Sequence, residues 1–147
     1  MKLTEHFSLE EFTQSQTAAR AGLGNEPNTI ELRDNILRVA HLLERIRTLL
    51  GAPIIITSGY RAPRVNQLVG GAVNSAHMQG LAADFVAPQS GTPYNVCRAI
   101  ALNVRELDID QLIYEFTSWV HVGLNAGPAR HQVLTIDGRG TRGGISL

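Results

Sequence analysis

The chain has 147 residues, 44% of them hydrophobic and 18% charged, the balance of one ordinary globular domain that can bury a core unaided. Thirteen basic and 13 acidic side chains cancel, which gives no reason to expect nucleic acid or an anionic membrane as a partner. A single cysteine, Cys97, excludes an internal disulfide and a Cys-rich structural zinc site, and no apolar run reaches the roughly 18 residues of a membrane span.

The first residues, Met1 to His6, have no apolar signal-peptide core, so the protein as written is expected to stay in the cytoplasm unless something else carries it out. Phe7-Ser8-Leu9-Glu10-Glu11-Phe12 predicts a short helix: Ser8 caps it, Glu11 reaches back, and Phe7 and Phe12 form a hydrophobic staple. A loop rich in glycine and polar residues follows, from about Ala21 to Asn28. Thr29 to Leu50 is the clearest helix, with Ile30, Ile36, Leu37, Val39, Ala40, Leu43, Ile46 and Leu50 at helical spacing. Asn28 and Glu31 are its expected capping pair, Gly51 its stop, and His41 a surface or boundary histidine. Pro53 to Ser58 reads as a buried strand and Gly59 to Arg64 as a turn-rich loop. Leu81 to Val86 is a second strand. Thr92 caps a helix with Pro93 in its first turn, running to about Glu106 and holding Cys97 as a buried inert thiol. Gln111–Glu115 and Trp119–Leu124 form a hairpin through Phe116-Thr117-Ser118. A last strand is expected over His131–Ile136, and a loose tail from Asp137. This order gives a single α+β domain over residues 1–147, with helices packed on a small, mainly antiparallel sheet.

Three pieces of this pattern bear chemistry. His77 and Asp84 stand seven residues apart with Gly80 between them, and Asp84 sits inside an apolar strand. A carboxylate there needs a cation or several donors, so it is either a metal ligand or a structural Asp paired with an arginine or backbone N–H groups. His121 alternates with Val120 and Val122 on a strand, as a satisfied core histidine or as a ligand. Glu115 ends the preceding strand, where the hairpin brings it beside His121; it is either a solvent-facing hairpin residue or the carboxylate that takes a proton from a water during hydrolysis. Together, two histidines and one carboxylate make a catalytic zinc set with the fourth position left for water. Other first-row metals fit the same donors.

At these residues the chain resembles the zinc D-Ala-D-Ala carboxypeptidases and phage endolysin peptidases, which share a fold with the hedgehog signalling domain. The family pattern S-x-H-x-x-G-x-A-x-D is filled by Ser75, His77, Gly80, Ala82 and Asp84, and its later W-x-H strand by Trp119-Val120-His121. Ser58-Gly59-Tyr60-Arg61 matches the family's S-G-Y-R segment, and the likeness runs from about Leu3 to His131. The resemblance implies a hedgehog/DD-peptidase-like fold and zinc (Zn2+) on His77, Asp84 and His121. It implies a general base at Glu115, which lies six residues before the last ligand as in the hedgehog-type arrangement; three residues before it stands Ser118, which cannot serve. It places Arg61 at the oxyanion or the substrate, and Ser75 and Trp119 along the substrate. Trp119 occupies the position where some relatives carry a histidine, and His131 is only a remote substitute for that group. The implied activity is hydrolysis of D-amino-acid-containing cell-wall peptides by a monomer, as carboxypeptidase or endopeptidase, in the manner of a phage lytic enzyme. The rival class is a non-catalytic zinc-binding module that recognises cell wall or a protein partner on the same scaffold.

Overall fold

A computed structural model describes all residues, 1–147. Six strands form one sheet in the order β1-β2-β4-β3-β5-β6: β1 Ile55–Ser58, β2 Ala82–Val86, β3 Gln111–Glu115, β4 Trp119–Gly123, β5 Gln132–Asp137 and β6 Gly140–Gly143. All neighbours are antiparallel except β3 and β5. Five helices accompany them: α1 Leu9–Thr13, α2 Gln16–Ala21, α3 Ile30–Leu50, α4 Pro63–Leu68 and α5 Pro93–Ala101. No helix is long and apolar enough to cross a membrane.

Strand alternation divides the sheet into two faces. On one, Phe85, Val120, Val122, Leu112 and Tyr114 join Val39, Leu43 and Ile46 of α3 and Val96, Cys97 and Ile100 of α5 in a single core. Cys97 is fully buried within it, and that burial pushes its thiol up to about 12. The staple residues Phe7 and Phe12 are both buried, and Glu11 accepts hydrogen bonds from the N–H and hydroxyl of Ser8. The opposite face carries Asp84, His121, Glu115 and Trp119.

Several expectations need correction. The cap of α3 is Thr29, whose hydroxyl accepts from Leu32 N–H, and Ile30 is 80% exposed rather than part of the apolar stripe. β1 is a half-buried edge strand: Ile54 and Ile56 face the core while Ile55 is exposed. Two short helices, α2 and α4, occupy stretches with no helical periodicity; α2 is set by Ser15 accepting from Ala18 N–H and by Gly22 in the left-handed region. The third long helix stops at Ala101, and turns lead on to Asp108. The tail is not loose: β5 and β6 form a hairpin, tied by Arg142 and Arg139 to Asp137.

The β3–β4 hairpin turns through Phe116 and Thr117, both at positive φ (51° and 55°). Two successive left-handed residues match the strand twist, but the position ordinarily favours Gly or Asn. A bulky aromatic held there, 47% exposed, is strained. It lies against Trp119 with ring centroids 5.7 Å apart.

Candidate metal centre

The sheet register assembles the centre. Asp84 of β2 lies directly opposite His121 of β4, and Glu115 of β3 opposite Trp119. Their side chains therefore share one face. His77 arrives from a 3-10 turn, Ala76–Gln79, capped by the Ser75 hydroxyl, which accepts from His77 N–H. That turn ends at Gly80, at φ 70°, where a Cβ would stand 2.9 Å from the Leu32 carbonyl oxygen and 3.1 Å from Ile36 of α3. Glycine is thus required by backbone conformation and by close approach at once, which gives the histidine–glycine–aspartate spacing its physical reason.

One ligand atom from each of His77, Asp84 and His121 lies within 4.8 Å of the others. Asp84 Oδ1 is 2.8 Å from His121 Nδ1 and 3.3 Å from His77 Nε2. Both histidines are buried. His77 Nδ1 is 2.7 Å from the Gly59 carbonyl oxygen. A carbonyl only accepts, so Nδ1 carries a proton and donates it, which leaves Nε2 as the ring nitrogen that faces Asp84. A buried carboxylate with a ring nitrogen of each histidine this close calls for positive charge at the centre, which a metal ion would supply. An outer hydrogen bond that fixes the tautomer of a metal-ligating histidine is the usual companion of such a centre. The donor set therefore fits a bound metal ion. Burial penalises the Asp84 carboxylate, and the imidazoles of His121 and His77 more than offset it, holding the carboxyl well below the usual carboxylate range.

Around this centre lies a cavity of about 700 Å³, lined among others by Arg61, Ser75, Glu115, Phe116 and Trp119. Glu115 Oε1 stands 3.6 Å from His121 Nδ1, beside the ligand atoms but outside their set. Burial holds its carboxyl above the ordinary value, against the pull of His121 and with the added push of the Asp84 charge. Arg61 donates from Nη2 to Ser75 Oγ at 3.3 Å, while its buried Nε has no partner in the protein. The indole N–H of Trp119 is likewise buried and unpartnered. His131 is not among the lining residues; it is paired instead with Asp108. A second cavity of about 730 Å³ adjoins the first and shares Arg61, Val69 and Asp84 with it.

Sequence reasoning missed Asn25. It is buried, and its amide donates to the carbonyls of Thr13 and Tyr60 while its Oδ1 accepts from Ala62 N–H at 2.7 Å. It thus grips the backbone on both sides of Arg61. The same segment gives its Gly59 carbonyl to His77, takes the His77 carbonyl on Arg61 N–H, and donates Tyr60 N–H to Phe12. An Asn before Glu26-Pro27 in a polar loop gives no local sign of where its amide points. Replacing it with Ala takes the partner from three backbone groups, the Tyr60 carbonyl buried and the Thr13 carbonyl and Ala62 N–H half-buried, at about 1–3 kcal/mol for such a loss. The expected outcome for Asn25→Ala is a melting temperature lower by roughly 3–10 °C, read by thermal unfolding; an unchanged value would show that the grip contributes nothing.

Residues 5–123 match the family described as Peptidase M15. The chain is also similar to the zinc D-Ala-D-Ala carboxypeptidase of Streptomyces albus G, with 38% identity over 69 residues. That alignment covers 46% of this chain and 27% of the relative, so the chain spans only about a quarter of that protein's length.

Proposed function

The chain belongs to the peptidase M15 family, and from that premise we propose that it is a zinc-dependent peptidase acting on cell-wall peptides that contain D-amino acids. The observation that carries the reading is a carboxylate, Glu115, standing 3.6 Å from His121 and beside three converging ligand atoms without being one of them. His77, Asp84 and His121 hold the zinc. A zinc ion there supplies a Lewis acid for a carbonyl oxygen and lowers the pKa of a water.

The remaining steps belong to the chain's own side chains. Glu115 takes a proton from the attacking water on Oε1 and returns it to the leaving nitrogen. Arg61 is a fixed cation in the wall of the same cavity, where developing negative charge on the substrate is best met by a preset positive group. Ser75 steadies the guanidinium through its hydroxyl, and Trp119 with Phe116 gives the substrate an apolar wall. The likeness to a D-Ala-D-Ala carboxypeptidase supports the substrate class. The protein acts as a monomer, and reaches the cell wall by export or release, as a phage lytic enzyme does.

The test joins metal analysis to cleavage. Protein purified without chelator is expected to hold about one zinc per chain, as a catalytic three-ligand site does, and to release soluble peptide from muropeptides. A chelator abolishes the release and added zinc restores it. Zinc binding without cleavage of any muropeptide would favour the non-catalytic binding module. Protein without zinc would overturn the reading altogether.

A further inference from the structure

Two arginines line the cavity around the metal centre, Arg61 and Arg130. Arg61 lies in the field of the Asp84 and Glu115 carboxylates. Arg130 has no part in the steps above, and it stands beyond residue 123, where the match to the family ends.

Its guanidinium is fixed from one side. Nε donates to Asp110 Oδ1 at 3.0 Å and Nη2 to Oδ2 at 2.8 Å, while the backbone N–H of Arg130 donates to Oδ1 at 2.9 Å. These hydrogen bonds hold the Asp110 carboxyl below its ordinary value, so the pair stays ionised. The two partners are unequally covered: the Asp110 side chain is 6% exposed and that of Arg130 57%. A group entering the cavity therefore meets the guanidinium before the carboxylate. Satisfying Asp110 takes Nε and one N–H of Nη2. Nη1 and the second N–H of Nη2 make no hydrogen bond within the protein. They form the outer edge of a planar fork, a geometry that holds a carboxylate through two parallel bonds.

The sheet register gives the distance of this fork from the chemistry. On β3, Ile113 stands opposite His121, and Glu115 lies two residues on, opposite Trp119. Asp110 lies three residues the other way, roughly 10 Å along the chain at about 3.3 Å per residue. Between them Gly123, opposite Gln111, brings no side chain to the cavity wall; a Cβ there would stand 3.6 Å from His121 Nε2. An extended peptide covers the same span in about three residues.

We propose, resting on the peptidase reading above, that Arg130 determines specificity: its outer edge holds a carboxylate of the substrate peptide about two to three residues from the bond that is cut, and Asp110 is the positioning residue that aims it. A side-chain carboxylate and a C-terminal one offer the same pair of oxygens.

The experiment separates these sources. The zinc-loaded full chain is given stem peptides in which each carboxylate, side-chain or C-terminal, is amidated in turn, with products identified by mass spectrometry. Amidation of one of them is expected to lower kcat/KM about tenfold or more, the size of a hydrogen bond to a charged group, and its position names the source. Asp110→Asn combined with Arg130→Gln removes both charges and leaves no buried carboxylate unpaired. That double variant is expected to keep its zinc and to narrow the preference to about twofold or less. Arg130→Lys keeps a charge beside Asp110 and so protects the fold, but an ammonium has no planar fork; it is expected to weaken the preference about threefold or more. Equal rates on all the peptides overturn the proposal and leave the peptidase reading in place. So does a preference undiminished in either variant. A zinc-loaded protein that cleaves none of the peptides overturns both.

Discussion

Glu115→Gln is expected to keep its zinc and its fold while losing about 10²–10⁴-fold in cleavage rate, the usual contribution of a positioned general base. Gln has the same shape and is neutral at every pH, so the change removes the proton acceptor and little else. The backbone position is secured by the register of β3 between β4 and β5, where residue 115 faces Trp119 on one side and Ile136 on the other. The lost charge is one that burial and the neighbouring Asp84 already disfavour, so stability should hold or rise slightly. Metal content separates the two halves of the functional reading. Full zinc with lost cleavage makes Glu115 the proton carrier, whereas full zinc with unchanged cleavage assigns that step elsewhere.

Asp84→Asn is expected to produce the opposite pattern, a folded protein that no longer keeps its metal. The amide has nearly the shape of the carboxylate it replaces, which lies 2.8 Å from His121 Nδ1, so the packing around it is kept. What disappears is the negative charge in a buried set of two neutral donors. Loss of an outer hydrogen-bond partner typically weakens metal binding by about 10–100-fold; loss of a charged ligand should exceed that. The clearest readout is thermal. Metal present at about 100 times its dissociation constant stabilises a fold by about 2.7 kcal/mol, which for a domain of this size is a rise of roughly 5–10 °C over the chelated protein. Wild type should show that rise and Asp84→Asn should not. An Asn variant that keeps stoichiometric zinc through gel filtration would remove Asp84 from the ligand set.

The parts of the fold readable in the sequence were those set by local rules. The capping residues at Ser8 and Thr92, the stop at Gly51 and the apolar stripe of α3 each act within a few neighbours. The short helices α2 and α4 bury one and two residues respectively, too few to make a period. The hairpin of β5 and β6 looked loose because glycines dominate it, yet its order comes from a charge pairing five residues apart, Asp137 with Arg142. Parallel pairing of β3 with β5 has no local signature at all. At the site, the histidine–glycine–aspartate spacing was legible because a close approach of α3 demands that glycine. The clamp at Asn25 was not, since its partners lie 12, 35 and 37 residues away.

The parallel strand also decides how β3 meets the solvent. The stretch matched to the family ends at residue 123, before β5 begins at Gln132. β5 covers the side of β3 that β4 leaves open, from Gln111 to Glu115. Without it the backbone beside Glu115 would be a bare sheet edge, able to recruit the same edge of another molecule. β5 and β6 thus move that adhesive border out to Gly140–Gly143, a strand of four residues with an arginine in it, where self-association has little to hold.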